Sequence, residues 1–295
     1  MERAKEFQIV GSGKRQTPIL IRPPRWRQLP ILSFVILCLI VCGCLAAPWL
    51  ANHDPTQFYL TSLNQAPNGE FYFGTDALGR DIFSIIWYGG RVSLVVGFLG
   101  MAIATVIGIV YGCLSGTGSA ALDMLLMRLA ELISSIPSLL LMLLLLACIH
   151  APNIWTISLV IGVTNWMNLA RIVRGEVRQI RNSDYVLASK TMGGSFLHIV
   201  WYHLLPNFLS PIMFMVVSSI GTSMMMESTL SFLGIGLPVE VVSWGSMLSL
   251  ATQAVLTNAW WVILVPGAFL VVTLFCITQI GHYLRHHVNR GSSNL

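Results

Sequence analysis

Residues 184–207 of the chain read DYVLASKTMGGSFLHIVWYHLLPN and lie between two long apolar segments. The part from Asp184 to Met192 is predicted to be a short helix with a polar face. The Gly193-Gly194 pair is expected to end it, because glycine adopts turn conformations readily. A second helix is predicted from Ser195 towards Pro206, and Pro206 is expected to start the next apolar segment, since the first amides of a helix have no partners within it. These residues therefore predict a compact loop of two short helices.

The composition of the whole chain is that of a membrane protein. Of its 295 residues, 55% are hydrophobic and 10% are charged, against roughly 25% charged in an average soluble domain. A helix that crosses a bilayer needs roughly 20 apolar residues. The segments of that length are 30–51, 92–116, 122–149, 155–174, 207–232 and 259–283. The sequence therefore predicts an all-α polytopic membrane protein with six transmembrane helices, and it excludes an ordinary globular enzyme.

The basic residues are concentrated in segments that would share one side of the membrane. Seven precede the first predicted span, five lie at the end of the fourth span or between it and the fifth, and two follow the sixth, whereas Arg80 and Arg91 fall on the other side. Loops rich in Lys and Arg stay in the cytosol, so both termini and the loop at 184–207 are predicted to be cytosolic. Topology thus explains the net charge of +5, which gives no indication of nucleic-acid binding.

This topology divides the chain into consecutive regions. Residues 1–29 form a basic cytosolic tail that is too long and polar for a cleavable signal. Residues 30–51 form the first transmembrane helix and 52–91 an external segment. The membrane core spans 92–285, with the cytosolic loop at 175–206, and residues 286–295 form a second cytosolic tail.

Charged residues at two places are predicted to form structural ion networks. In the external stretch FGTDALGRDIFS (73–84), Asp76 and Asp81 either cap helix starts or bracket Arg80, within a rigid turn that leads into the second span. In the third span, Asp123, Arg128 and Glu131 lie near the cytosolic end, where charges need partners. Arg128 and Glu131 are three residues apart and are expected to pair. Ile136-Pro137 is expected to kink the same span.

Two features of the other spans bear on packing and on the path for cargo. Gly108, Gly112 and Gly116 share one face of the second span, which predicts a packing face, because small residues let helices approach closely in lipid. In the fifth span, Met225, Met226 and Glu227 form a candidate translocation path near the outer mouth. An intramembrane carboxylate is a functional-site hypothesis by default. The alternatives are that Glu227 binds backbone amides of a neighbouring segment and that the methionines pack in the core.

No catalytic residue and no metal site is predicted. The Gly11-Ser-Gly-Lys14 stretch lacks both the upstream glycine and the following Ser or Thr of a phosphate-binding loop. His198 and His203 are five residues apart, which does not place them on one α-helical face. His282 and His286 are four apart, but no further ligand is near them in the sequence. The six cysteines fall within or at the ends of apolar spans and are expected to act as small hydrophobic residues.

Several of these motifs, in this order, resemble those of ABC importer permeases of the dipeptide, oligopeptide and nickel family. Ala188-Ser189, Gly193 and Leu205-Pro206 resemble the coupling loop of that family, and Leu187 stands where relatives carry an acidic residue. The Gly-Thr-Asp and Gly-Arg-Asp elements and the Trp-Gly-Ser-Met-Leu element are similar to signatures of its second, "C"-type permease. They lie at 74–76, 79–81 and 244–248.

The resemblance implies a type I importer fold in the bacterial inner membrane and a function in inward transport of peptides or of nickel and metallophore-type solutes. It implies a homologous second permease, two cytosolic ATPases that bind ATP and Mg, and an external substrate-binding protein, with no cofactor in this chain. The residues expected to contact an ATPase are Tyr185, Ala188, Ser189, Gly193, Leu205 and Pro206.

Two other classes of function remain as alternatives. An ion-coupled secondary transporter usually carries ionisable pairs at mid-membrane and repeated halves; these spans show neither, and Glu227 is the nearest candidate. A non-transporting membrane scaffold would need no ATPase partner.

Overall fold

The structure is a computed structural model that describes residues 30–149, 152–238 and 240–288. Throughout these ranges the regular structure is helical, apart from one isolated bridge between Thr75 and Asp81. The predicted tail at 1–29 and residues 289–295 of the second tail lie outside the described residues.

The helices follow one another along the chain with short connections. They are α1 (Ile31–Leu45), α2 (Ala47–Leu50), α3 (Ile82–Thr117), α4 (Ala120–Ser134), α5 (Ser138–Ala147), α6 (Ile154–Asn165), α7 (Met167–Ile180), α8 (Asp184–Thr191), α9 (Phe196–Ile199), α10 (Leu205–Phe232), α11 (Trp244–Leu248), α12 (Ala251–Leu256) and α13 (Trp261–Val288). A π-helical turn, Val200–Leu204, connects α9 to α10.

In the described part of the chain, two helices are by themselves long and apolar enough to cross a bilayer: α3, and α13 as far as Arg285. Two further candidates are broken. The pair α4 and α5 bends by 83°, and the pair α6 and α7 bends by 48°. Counting each bent pair as one span raises the number to four. Pro137, predicted to kink the third span, is the residue before α5 in the first of these breaks.

Helix α3 begins ten residues before the start of the predicted second span. Asp81 caps it: the carboxylate accepts hydrogen bonds from the Ser84 amide at 3.0 Å and from the Ser84 hydroxyl at 2.6 Å. Residues 82–91 had been assigned to the external segment. In the structure they lie within α3, where Gly90 packs against Trp244, and Arg91 donates to the carbonyls that end α1. The predicted external segment therefore becomes helical after Asp81.

Helix α3 is the centre of the molecule and packs against α1, α6, α7 and α10. Its closest neighbour is α7, and the glycine face predicted from the sequence lies between the two helices. A Cβ at Gly112 would come within 2.6 Å of the Ala170 carbonyl oxygen, and one at Gly116 within 2.7 Å of Val177. The prediction of a packing face is confirmed, because no side chain larger than hydrogen fits at these crossings.

Candidate functional site

Helix α8 is held on the bundle by one buried side chain. Val186 is completely buried, and it belongs to an apolar cluster contributed by α3, α7, the π-turn and α10. The other members of this cluster include Cys113, Leu169, Val173, Val177, Ile199, Leu204, Phe208 and Ile212. Through Val186, this cluster joins α8 to α3, α7 and α10. Val186 was not predicted to have a role, although it lies within the short helix predicted from Asp184 to Met192.

Most of the other described side chains of α8, and Met192 directly after it, are exposed to solvent. Tyr185 is 46% exposed, Leu187 is 45% exposed and Met192 is 87% exposed. Ala188 is exposed as well, and Ser189 is half-buried. Apolar side chains exposed on a loop are candidates for a protein–protein contact. At Leu187 the exposed group is apolar rather than ionic.

Gly193 and Gly194 end α8 in a defined cap. Gly193 has a φ of +83°, a left-handed conformation that side-chain-bearing residues rarely adopt. The Gly194 amide then donates to the Ser189 carbonyl at 2.9 Å, the longer hydrogen bond of a Schellman motif. A Cβ on Gly193 would meet nothing within 4 Å. The backbone conformation, not lack of space, is therefore what requires glycine at this position.

The second half of the loop agrees with the prediction of a helix that leads towards Pro206. The chain stays helical from Phe196 through the π-turn and into α10, so Pro206 lies at the start of α10 within a continuous helical segment. In a π-helix, hydrogen bonds join residues five apart. The rings of His198 and His203, expected on different faces, consequently lie 5.7 Å apart. Leu205 is half-buried and packs against the cluster that contains Val186.

Asp123 fastens the end of α4 to α7, the helix that leads into the loop. Its carboxylate accepts hydrogen bonds from Arg174 and from Arg178, the latter at 2.6 Å, and from the Ser115 hydroxyl. Directly after α7, Arg181 donates to the Gly116 carbonyl at 2.9 Å. Arg174 and Arg178 are four residues apart, a spacing that places both on one face of α7. Their acidic partner lies more than 50 residues away, so the spacing did not identify it.

The six residues predicted to form ion networks separate into independent units. Arg128 and Glu131 form an exposed pair at 2.9 Å that does not include Asp123. In the external segment, Asp76 pairs with Arg80 at 2.8 Å and also accepts the Leu78 and Arg80 amides. Asp81 instead caps α3. Arg80 is therefore not bracketed by two carboxylates, because helix capping has already engaged the second one.

The three residues of the candidate path do not share a face. Met225 is 60% exposed, Met226 is half-buried and Glu227 is completely buried, as expected for consecutive residues on a helix with 3.6 residues per turn. The Glu227 carboxylate accepts from four hydroxyls. These are Ser243 at 2.7 Å, Ser231 at 2.8 Å, Ser93 at 3.2 Å and Ser228 at 3.4 Å. Glu227 thus ties α3, α10 and α11 together, through serine hydroxyls rather than through the backbone amides of the alternative prediction.

The described residues contain no group of three or more His, Cys, Asp and Glu side chains placed to hold a metal ion. The His282 ring packs against Phe214, with the ring centroids 5.1 Å apart.

Comparison with known proteins identifies the family. Residues 104–290 match the family of binding-protein-dependent transport system inner membrane components. The chain is 37% identical to the dipeptide transport system permease protein DppC of Bacillus subtilis, over 85% of this chain and 78% of the relative. It is 34% identical to the oligopeptide transport system permease protein OppC of the same organism, over 88% and 85%. It is 35% identical to a probable D,D-dipeptide permease protein of Escherichia coli, over 87% and 86%.

Among solved structures, the crystal structure of an amino acid ABC transporter with histidines matches 69% of this chain and 94% of its own chain, with a TM-score of 0.50 and 14% identity. This likeness concerns the fold, and it shows the transmembrane fold of an ABC importer. The family match and the sequence relatives decide between the three classes of function weighed from the sequence. The chain belongs to the family of binding-protein-dependent transport system inner membrane components, and it is the non-catalytic permease of an ABC importer that works with an ATPase and a binding protein.

Proposed function

We propose that this chain is the second, "C"-type permease of a type I importer that moves peptides into the cell. In this proposal it crosses the bacterial inner membrane six times, with both termini in the cytosol. It pairs with a homologous permease, two cytosolic ATPases that bind ATP and Mg, and an external substrate-binding protein.

The relatives support peptides as the cargo. Those described above are named for dipeptide, oligopeptide and D,D-dipeptide transport. None of these names refers to nickel, so the peptide half of the sequence-based expectation is the one we retain.

The observation that carries the mechanism is the two-sided construction of α8. One side is anchored through Val186, and the other presents Tyr185, Leu187 and Met192 to solvent. We infer that the exposed side docks on an ATPase. Closure of the ATPases then moves α8, and the Val186 cluster and the Asp123 ion pairs carry the motion into α7 and α3. Nucleotide drives the change only through its different affinity for the two states of the complex.

Six spans are consistent with the broken helices. Helix α1 contributes a short apolar segment, α4 with α5 and α6 with α7 each form one bent span, and α10 adds a helix of 28 residues. With α3 and α13 the total is six. The glycine-dependent contact between α3 and α7 then lies between the second and fourth spans.

Crosslinking tests the docking assignment. In a chain whose six cysteines are replaced, Ala188→Cys carrying a photoactivatable maleimide is expected to crosslink to the co-expressed ATPase. Glu70→Cys, an exposed position on the proposed external side, is the matched control and is expected to give no ATPase adduct. Equal crosslinking at both positions, or none at Ala188, would contradict docking through α8.

A further inference from the structure

The two helix breaks of the membrane core line one cavity. The break between α4 and α5 contributes Ser134 and Ser138, and the break between α6 and α7 contributes Thr164, Asn165 and Asn168. The cavity has a volume of about 310 Å³, at the lower end of the range of roughly 300–1,000 Å³ typical of small-molecule pockets.

Helix lengths place both breaks inside the bilayer. Helix α6 has 12 residues and α4 has 15, which correspond to roughly 18 Å and 22 Å at 1.5 Å per residue. The hydrocarbon core is about 30 Å thick. Interrupted helices at such depth are tolerated where the backbone lines a cavity or is buried in protein. In transporters, discontinuous helices of this kind surround substrate sites.

The lining of the cavity has the chemistry to bind a polar group of negative charge. It combines three hydroxyls, two carboxamides and the Arg171 guanidinium with a few apolar side chains, and the described lining includes no carboxylate. The N-terminus of α5, a helix of ten residues, also lies at this cavity and has no side-chain cap. Its dipole adds positive potential at the same place.

Arg171 is the group in the cavity whose charge is not neutralised. Its guanidinium donates to the Ser134 hydroxyl at 2.6 Å, and no ion pair forms between it and an acidic residue of the described ranges. Arg174 and Arg178, further along the same helix, both bind Asp123. Arg171 is also exposed, so its guanidinium is open to an anion from outside the chain. Of these three arginines of α7, it is the one left without an acidic partner among the described residues.

We propose that this cavity is a transit site for cargo and that Arg171 binds the C-terminal carboxylate of a peptide on its way through the membrane. The inference rests on the peptide cargo proposed above and extends it to a specific chemical group. The planar guanidinium matches a carboxylate with two parallel hydrogen bonds. The hydroxyls and carboxamides provide donors and acceptors for the adjacent peptide group. The described lining of the cavity includes no carboxylate or thiolate that could bind a bare divalent cation.

The test compares two peptides that differ only at the C-terminus, one a free acid and the other an amide, both bound by the binding protein. Initial uptake rates are measured in liposomes that contain the complete transporter. The ratio of acid to amide uptake is determined for the unaltered complex, for Arg171→Gln, and for the control Arg128→Gln, an exposed cation on α4. Because the preference of the binding protein enters every ratio equally, it cancels when the ratios are compared.

Arg171→Gln is expected to lower the acid-to-amide ratio about tenfold or more, the loss typical of a hydrogen bond to a charged group, while Arg128→Gln leaves it unchanged. Arg171→Lys keeps the charge but not the paired geometry, and it is expected to give an intermediate ratio. Stimulation of ATP hydrolysis by the loaded binding protein reports assembly and coupling separately. An equal loss of both peptides in Arg171→Gln, or an unchanged ratio, would overturn the proposal. If the unaltered complex imported no peptide at all, the proposed cargo itself would be wrong.

Discussion

Gly193 shows how a single residue sets the shape of the loop that we propose docks on an ATPase. Its φ of +83° lies in a region of backbone conformation that is strained for an L-residue, and the space around it is open. A β-branched side chain there is unfavourable by roughly 1–2 kcal/mol, so Gly193→Val is expected to turn α9 away from α8 and to reduce peptide uptake severalfold. Uptake and ATP hydrolysis measured on the same assembled complex check this result.

Gly193→Asn is the matched control for this substitution, since asparagine tolerates the left-handed conformation. It is expected to retain most of the transport activity. If asparagine were as harmful as valine, contact with a partner rather than backbone strain would explain the requirement for glycine.

Asp123 is a second residue whose effect reaches beyond its own helix. Its carboxylate is 7% exposed and holds Arg174 and Arg178, which are themselves partly exposed. Asp123→Asn leaves both cations without their acidic partner, and we expect a loss of about 1–3 kcal/mol in stability. Thermal unfolding of the purified complex measures this loss.

Glu131→Gln provides the comparison on the same helix. Glu131 pairs with Arg128 in an exposed position, and such surface pairs contribute about 0–1 kcal/mol. Similar destabilisation by the two substitutions would mean that the link between α4 and α7 has no special importance.

At the scale of elements, the contact between α3 and α7 depends on close approach of the two backbones. A methyl group at Gly112 would press on the Ala170 carbonyl at 2.6 Å. Gly112→Ala is therefore expected to destabilise the protein by about 1–3 kcal/mol. Gly175 on α7 has nothing within 4 Å of a Cβ, so Gly175→Ala is expected to stabilise by up to about 1 kcal/mol through helix propensity. Thermal midpoints that shift in the same direction for both would contradict this packing.

The two helix breaks were not equally predictable. Pro137 signals the first, because proline disrupts the helical hydrogen bonds. The second break, at Trp166, contains no proline. There the side chains of Thr164 and Asn165 donate to the carbonyls of residues 160 and 161 at 2.8 Å, and such hydrogen bonds bend helices. Whether such hydrogen bonds bend a helix depends on the surrounding helices, so the polar residues at 164 and 165 did not by themselves predict this break.

At the scale of the whole molecule, the proposed topology has a direct test. In the cysteine-replaced chain, a membrane-impermeant thiol reagent applied outside intact cells is expected to label Glu70→Cys and not Ala188→Cys. After the membrane is opened, both positions are expected to react, because both are exposed. Labelling of Ala188→Cys from outside would place the loop on the wrong side of the membrane for an ATPase and would exclude the proposed coupling.

Much of the fold and part of the candidate site could be predicted because the relevant signals are local. Apolar segments of about 20 residues indicated the membrane helices. Glycines four residues apart indicated the α3 packing face, and the Gly193-Gly194 pair indicated the end of α8. Each of these depends on periodicity or on backbone conformation within a few residues. The family resemblance extended the prediction to partners by relying on the order of several motifs.

The sequence by itself determined that this chain is a helical membrane protein, where its helices lie, and that one loop is built as a separate helical unit. Only the tertiary structure decided which distant groups meet. It paired Asp123 with arginines more than 50 residues away, buried Glu227 among four serines, and left Arg171 in a cavity between two broken helices. The physical reason is that a local pattern fixes which face a residue occupies on its own helix, whereas its partners depend on how whole helices cross and bend.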